Sequence, residues 1–202
     1  MENKLIGNVF LSSDWHLGHA NIAGPNSSKW DKGYRNFESL HEMNKTIIDG
    51  INKTVGESDT ILFHGDFSFG GHTNIPNFRR QIYCQNIHFI RGNHDQHIHK
   101  YQGFFGSMQD YWEGTINGIP WVAMHYAMRV WLGSHKGFMH TYGHSHSSLE
   151  RTPYGKSMDV GIDNAYKLLG EWRPFSFEEV YNILSKRDIT FPDNHGKNTN
   201  VR

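Results

Sequence analysis

Five short clusters of His, Asp and Asn follow strand-like apolar runs in this sequence, and their residue types suit metal binding. The clusters are Asp14-Trp15-His16, His64-Gly65-Asp66, Gly92-Asn93-His94-Asp95, His125 and Gly143-His144-Ser145-His146. Ligands of open α/β sheets bind outside the carboxyl ends of the strands, so clusters in these positions can converge on one site. Imidazole is the commonest protein metal ligand, and the 15 histidines are spread along the chain rather than gathered in a tag. The sequence therefore predicts a metal site assembled from several strand ends.

The ordered set of clusters is more informative than any single member. At this composition an Asp-x-His match is expected about 0.8 times by chance, so that motif alone is uninformative. Gly-His-x-His is expected about 0.1 times and Gly-Asn-His-Asp about 0.007 times. A site that only stabilises the fold is disfavoured, because structural metal sites are usually closed, four-coordinate and mononuclear.

Composition and charge exclude several classes of protein. The 202 residues carry 20 Lys and Arg against 20 Asp and Glu, a formal net charge of zero. That balance argues against a partner bound by bulk electrostatics, such as long nucleic acid. The single cysteine, Cys84, excludes an internal disulfide and a cysteine-based zinc site. With no signal-peptide pattern and no long apolar run, we expect a cytoplasmic protein that does not enter membranes.

Alternating strands and helices are predicted to position the clusters. Strands are expected over residues 8–13, 60–64 and 87–90, with helices over 37–54 and 75–84 between them. This β-α-β-α-β order implies parallel strands joined by helical crossovers.

The second half of the sequence predicts shorter strands and one further helix. The expected strands cover residues 108–112, 114–116, 120–125, 138–142 and 157–160. Asn117-Gly118 favours a hairpin turn, and Ser176 with Glu179 forms a capping-box pattern that opens a helix ending near residue 185. We expect one domain over residues 1–190 and a disordered polar tail over residues 191–202.

The series of clusters resembles the calcineurin-like metallophosphoesterases, in particular their short single-domain bacterial and phage-type members. Residues 13–22, 125–131 and 158–163 carry the resemblance to that subgroup, and the similarity extends from about residue 8 to 185. It implies an α/β fold, a β-sandwich of two mixed sheets flanked by helices in four layers (α/β/β/α). It also implies a dinuclear metal site at the rim of the sandwich.

The resemblance further implies which residues bind each ion. Asp14, His16, Asp66 and His146 would hold the first metal, and Asp66, Asn93, His125 and His144 the second. Asp66 would bridge two ions about 3.5–4 Å apart. Nitrogen and oxygen ligands without a thiolate suit Mn²⁺, or Fe, Ni²⁺, Co²⁺ and Zn²⁺, better than Ca²⁺ or Mg²⁺.

His94 matches the family histidine that is not a metal ligand. It would protonate the leaving oxygen or stabilise the phosphoryl group, and Asp95 is expected to orient a neighbour. Many relatives carry Gly-Asp-x-x-Asp-Arg after the second strand. Here the segment from residue 65 to residue 70 reads Gly-Asp-Phe-Ser-Phe-Gly, so the Asp that supports the catalytic histidine and its adjoining Arg are absent.

Three further residues are candidates for substrate binding. Arg129 follows His125 by four residues, and a guanidinium matches phosphate bidentately; the alternative is an ordinary surface arginine. Arg35 is a weaker candidate. His19 could contact substrate, hydrogen-bond to a metal ligand, or simply occupy a turn.

The sequence predicts a dinuclear phosphoesterase that favours small phosphodiesters such as cyclic or short nucleotides. Without a capping domain the site would be open, and loss of the Asp-Arg pair removes a cation that could engage the extra charge of a monoester. The alternatives are a phosphomonoesterase and a nuclease or nucleic-acid end-processing enzyme. A non-catalytic metal-binding scaffold is least favoured, because the ligand set and His94 are complete. The pattern does not specify a homo-oligomer.

Overall fold

The fold comes from a computed structural model of the chain, which describes residues 3–26 and 35–191. Those residues contain ten strands and five α-helices. The strands are β1 (Asn3–Leu5), β2 (Val9–Ser12), β3 (Thr60–Phe63), β4 (Asn86–Ile90), β5 (Ser107–Gln109), β6 (Tyr111–Ile116), β7 (Ile119–Met124), β8 (Met139–Tyr142), β9 (Ser157–Asp159) and β10 (Phe175–Ser176). The helices are α1 (Ala20–Ala23), α2 (Leu40–Thr54), α3 (Asn74–Arg79), α4 (Ile162–Leu169) and α5 (Phe177–Ser185). Three 3₁₀ segments lie at Ile98–Phe104, Ser134–Lys136 and Ser148–Arg151.

The strands form two five-stranded mixed sheets. One has the order β10-β2-β3-β4-β5, in which β2 to β5 are parallel and β10 is antiparallel. The other has the order β1-β6-β7-β8-β9, in which only the β6–β7 pair is antiparallel. Two mixed sheets with flanking helices confirm the predicted α/β class.

The single strand predicted over residues 108–112 is two strands in different sheets. Gln109 pairs with Ile90 at the edge of the first sheet, whereas Tyr111 pairs with Met124 in the second. The chain crosses between the sheets at Asp110, and a continuous strand-like pattern does not reveal such a crossing.

Side-chain alternation along β3 divides the interior into two apolar clusters. Ile61 and Phe63 pack in a cluster that includes the apolar face of α2. Leu62 points the other way, into a cluster shared with Trp112 and Trp121 of the second sheet. The first sheet is therefore covered by apolar residues on both faces, as expected for parallel strands.

Two helices are shorter than predicted for reasons visible in their hydrogen bonds. The helix expected from residue 37 begins at Leu40, because the Ser39 side chain accepts a hydrogen bond from the Glu42 amide and caps it. The helix expected to reach residue 84 ends at Arg79. The Arg79 guanidinium donates hydrogen bonds to the carbonyls of Ile82 and Cys84. These carbonyls therefore have hydrogen-bond partners although the helix does not continue.

Other local predictions hold. The Ser176–Glu179 capping box is present at α5, and Asn117-Gly118 forms the β6–β7 turn with φ of 49° and 83°.

The edge strands β1 and β10 and the helices α1 and α4 were not predicted. The tail from residue 192 lies outside the described residues. No helix among the described residues is long and apolar enough to cross a membrane.

Candidate metal centre

The seven predicted ligands lie where parallel strands of both sheets end. They follow β2 (Asp14, His16), β3 (Asp66), β4 (Asn93), β7 (His125) and β8 (His144, His146). Main-chain hydrogen bonds join these loops. The amide of Asp14 donates to the Gly65 carbonyl at 2.9 Å, and the amide of Gly143 donates to the His125 carbonyl at 2.9 Å. The loops from the two sheets therefore meet at one rim.

The ligand atoms fall into two groups. The first contains Asp14, His16 and His146, and the second contains Asp66, His125 and His144. Within each group the candidate ligand atoms lie within 4.8 Å of one another. This partition agrees with the two ligand sets that the family resemblance implies.

Asp66 lies between the two groups. Its Oδ2 atom is 3.5 Å from His16 Nε2 and 3.5 Å from His125 Nε2. Asn93 joins the second group, since its Oδ1 atom lies 2.9 Å from the same His125 nitrogen. The arrangement gives Asp66 access to both sites, as a bridging carboxylate requires.

The pattern of donors and acceptors fits bound cations. His125 donates from Nδ1 to the His64 carbonyl at 2.7 Å, so in the neutral ring the lone pair of Nε2 faces the oxygens of Asn93 and Asp66. His16 Nε2 is buried and has no hydrogen-bond partner. Buried acceptors that face one another are costly unless something positive lies between them, and a divalent cation in each group would satisfy them.

The pKa values of two carboxylates of the centre are shifted in opposite directions. Burial and the nearby charge of Asp14 raise the pKa of Asp66 to about 8. Burial would also raise the pKa of Asp14, but the neighbouring His16, whose Nε2 atom lies 3.7 Å from Asp14 Oδ1, and the charge of His146 hold it well below its usual range. Without metal, Asp66 therefore holds a proton that a cation must displace.

Five of the predicted ligands have a left-handed backbone. The φ values are 56° at Asp14, 48° at His16, 60° at Asp66, 65° at His144 and 45° at His146. This conformation is uncommon for residues other than glycine and costs about 1 kcal/mol or more at each position.

Two glycines allow the ligand loops to approach closely. A Cβ atom on Gly92 would lie 2.2 Å from Asp66 Oδ1, and one on Gly143 would lie 2.5 Å from Asp14 Oδ2. Either contact would displace a carboxylate of the centre. The glycines of the Gly-Asn-His-Asp and Gly-His-x-His motifs thus have a steric role.

Asp163 is a functional candidate that the sequence reasoning missed. Its Oδ2 atom accepts a hydrogen bond from His146 Nδ1 at 2.7 Å, so Nε2 is the ring nitrogen that can serve as a metal ligand. Burial lowers the pKa of His146, but the hydrogen bond and charge of Asp163 outweigh it and raise the pKa to about 9. A carboxylate behind a ligating histidine is a common device for fixing its tautomer.

Arg35, predicted to contact substrate, is buried beside the metal centre, where it also borders a surface groove. Its side chain is fully buried and pairs with both oxygens of Asp163 at 2.9 Å. The same guanidinium donates to the carbonyls of Asp14 and Trp15. Arg35 therefore fixes the position of the loop after β2 relative to the carboxylate that contacts His146.

His19 lies behind His16 and beside His94. Its Nδ1 atom is 3.3 Å from His16 Nδ1, and burial lowers its pKa to about 4, so a neutral His19 can accept the His16 hydrogen. Its ring stacks on Phe69 at 3.6 Å between centroids, and Phe69 packs against His94 at 4.6 Å. Phe69 occupies the position at which relatives carry the supporting Asp, so an aromatic contact replaces the carboxylate there.

Two further buried carboxylates support the ligand loops. Asp95 accepts hydrogen bonds from the amides of Asp66, Phe67 and Gly92, which ties the loop after β3 to the loop after β4. This is consistent with the expectation that Asp95 orients a neighbour. Asp159 accepts from Ser145 Oγ and the Ser147 amide, and so fixes the Gly-His-x-His loop.

Arg129 remains a candidate for substrate binding. It is exposed on the segment after His125, and within the described part of the chain its side chain has no ion pair or hydrogen bond. His140, a histidine of the same region, is buried on β8 and accepts from the Met128 amide at 3.1 Å. It anchors the Arg129 segment rather than reaching solvent.

Comparison with known proteins agrees with this geometry. The chain is similar to the uncharacterised protein MJ1445 of Methanocaldococcus jannaschii, with 26% identity over 184 residues that cover 90% of this chain and 93% of that protein. Its fold is similar to the crystal structure of AQ665, a protein of unknown function from Aquifex aeolicus, with a TM-score of 0.63 and 17% identity. That alignment covers 90% of this chain and 100% of the other, and it supports the fold alone.

The family comparison extends over nearly the whole chain. The sequence model of the calcineurin-like phosphoesterases matches residues 7–200, a range that includes all five clusters and both ligand groups. The chain belongs to the calcineurin-like phosphoesterase family and is a metal-dependent hydrolase of phosphate esters.

Proposed function

We propose that this protein is a dinuclear phosphodiesterase that acts on small esters, with Mn²⁺ as the preferred ion. The observation that carries the proposal is the position of Asp66 Oδ2, 3.5 Å from a histidine of each ligand group. Two divalent cations bound there would activate a water molecule and neutralise charge on the phosphate oxygens.

His94 is the proposed general acid. Its Nε2 atom lies 4.0 Å from Asp66 Oδ2, and its side chain is 41% exposed, so it borders the centre and can also reach an incoming ester. Its backbone amide donates to Asp66 Oδ1 at 2.9 Å, which fixes its position relative to the shared carboxylate. From there it would give a proton to the departing oxygen.

The proposed preference for diesters is supported by two cavities that border the centre. A depression of about 290 Å³ borders His94 and Phe69, and a larger groove of about 880 Å³ borders His144 and His146. A diester places one substituent on each side of the phosphorus. A monoester would fill only one side and would bring a second negative charge for which the centre lacks the family's Asp-Arg pair.

The test compares bis(p-nitrophenyl) phosphate with p-nitrophenyl phosphate after chelation and reloading with Mn²⁺. We expect the chelated protein to be inactive, the reloaded protein to bind two ions per chain, and kcat/KM to be higher on the diester. A kcat/KM about tenfold higher on the monoester would overturn the diester preference. Full activity without bound metal would overturn the dinuclear mechanism.

A further inference from the structure

The groove beside His144 and His146 has a composition that the hydrolytic centre does not explain. Its lining includes Leu149, Arg151 and Trp172, together with Tyr166 and Lys167 of α4. Its volume of about 880 Å³ is within the range of small-molecule sites. Substrate bound at the metal centre would extend into it.

The groove carries two positive charges that the protein does not neutralise. Within residues 3–26 and 35–191, neither Arg151 nor Lys167 forms an ion pair, and Lys167 has only the Ser147 hydroxyl at 3.2 Å. Glu150 is adjacent in sequence but points away, with its carboxylate bound to Tyr142, Arg187 and the Asp159 amide. The two cations are therefore available to an anion.

An exposed aromatic surface lies beside these cations. Tyr166 stacks on Trp172 with 4.4 Å between ring centroids and 9° between ring planes, and it is 48% exposed. Trp172 is held in turn by Phe37 at 5.0 Å and by the Arg35 guanidinium at 5.5 Å. A stacked aromatic pair with a half-exposed tyrosine suits the ring of a nucleobase.

The depression beside His94 differs in charge from this groove. The residues around the depression beside His94 include His72, His97 and Gln96 but no Lys or Arg. Of these two cavities, the groove is the one that offers lysine and arginine side chains to an additional anionic group of the ester.

Resting on the proposed diesterase activity, we propose that this groove binds a nucleoside monophosphate unit of the substrate. The base would lie against Tyr166, and a terminal phosphate would lie between Arg151 and Lys167. The favoured substrate class is then a linear dinucleotide with a terminal phosphate besides the scissile one. A cyclic mononucleotide has one phosphate, which the metal centre uses, and leaves both cations without a partner.

The first arm of the test uses 5′-phosphorylated dithymidine, pTpT, and its unphosphorylated form, TpT, with the Mn²⁺-loaded protein. We expect the terminal phosphate to raise kcat/KM about tenfold, as charge-assisted hydrogen bonds predict. In the double variant Arg151→Ala, Lys167→Ala the ratio of the two kcat/KM values should fall towards one. Lys4→Ala, an exposed lysine on the edge strand β1, should keep the wild-type ratio.

The second arm measures binding without catalysis. Calorimetry with chelated protein would compare methylphosphonate-linked pTpT and TpT, whose linkage is uncharged and resists cleavage. The phosphorylated form should bind about tenfold more tightly to the wild type, with no such difference in the double variant, and Tyr166→Ala should weaken both forms.

The outcomes separate the two proposals. Equal binding of both forms by the wild type, or a difference that persists in the double variant, would overturn the groove assignment. If bis(p-nitrophenyl) phosphate and both dinucleotides are inert with every divalent ion, the diesterase proposal fails, while calorimetry still reports on the groove.

Discussion

The two halves of the metal centre are held by different means. In the first group, His146 is backed by Asp163, which pairs with the buried Arg35, a residue 128 positions away in sequence. In the second group, His125 is backed by a main-chain carbonyl, that of His64, and His144 is exposed.

This difference has a physical consequence for the two sites. In the first group, the ion pair between Arg35 and Asp163 and the hydrogen bond to His146 hold the ligand in place. A single substitution can therefore remove several of these contacts. In the second group a main-chain carbonyl fixes the ligand His125, and that contact is less sensitive to replacement of neighbouring side chains. We therefore expect the two ions to respond differently to mutation of these contacts, and Asp163→Asn tests that expectation directly.

The largest effect should come from the residue that the two halves share. Asp66→Asn removes the charge 3.5 Å from both His16 and His125, so both ions should be lost and hydrolysis should fall to background. Metal analysis of the purified protein and turnover of bis(p-nitrophenyl) phosphate provide the measurement. Retention of two ions per chain would show that Asp66 does not bridge the halves.

His94→Ala should separate catalysis from metal binding. Since His94 borders the centre without belonging to either ligand group, both ions should stay bound while kcat falls by about 10²–10⁴, the usual range for a general acid. If metal is lost while turnover per occupied site stays normal, His94 is a ligand and not an acid.

Asp163→Asn should affect one half selectively. It removes the charge that fixes His146 and leaves the buried Arg35 unpaired, so affinity for one ion should fall by about 10–100-fold. The second ion should remain. Metal titration followed by calorimetry gives both affinities, and circular dichroism checks folding.

The matched control for this variant is Asp110→Asn. Asp110 forms a similar pair with Arg91, but on the surface, and its loss should leave both affinities unchanged. Equal weakening of both ions by Asp163→Asn would remove the distinction between the halves.

The pH dependence of stability should reveal the protons that metal displaces. In the fold the pKa of His146 is about 9 against 6.5 for the free side chain, and that of Asp66 is about 8 against 3.8. Folding raises both pKa values, so the native state retains protons that the unfolded chain has already released. The contribution of these two groups to the free energy of unfolding is therefore lost as pH rises through their pKa values in the folded protein.

The Tm of the chelated protein should therefore decrease between pH 6.5 and 9, by at least about 2–4 °C if 1 kcal/mol is lost. Metal affinity should increase over the same range, because cations displace both protons. Calorimetric scans with and without Mn²⁺ measure both effects. A Tm that rises with pH in chelator would contradict the protonated state of these groups.

The smallest expected effect concerns the segment after His125. Arg129→Ala should raise KM for bis(p-nitrophenyl) phosphate about five- to tenfold, since an exposed charge-assisted hydrogen bond contributes about 1 kcal/mol, and metal content should not change. Lys136→Ala, an exposed cation further along the same segment, is the control. Equal kinetics in both variants would make Arg129 an ordinary surface residue.

The sequence predicted the ligands better than the residues that hold them. Motifs such as Gly-Asn-His-Asp join residue type to a strand end, so the ligands could be found by pattern. The Arg35–Asp163 pair has no local pattern, because its two members meet only after the chain has formed both sheets. Arg35 was consequently considered only as a substrate contact, and its burial and its pairing with Asp163 were not predicted.

Element boundaries show the same limit. The β-α-β-α-β order and the capping box of α5 follow from local periodicity and were predicted. The end of α3 at Arg79 depends on its guanidinium meeting the carbonyls of Ile82 and Cys84, and the break at Asp110 depends on partner strands in two sheets. Both are tertiary effects.

The left-handed backbone at five ligands bears on how this enzyme can evolve. Those positions together cost several kcal/mol, a large part of the 5–15 kcal/mol by which domains are usually stable. Glycine would relieve the strain at each one but would remove a ligand. Selection for heat resistance alone would thus favour inactive descendants, and the activity persists only where the reaction itself is under selection.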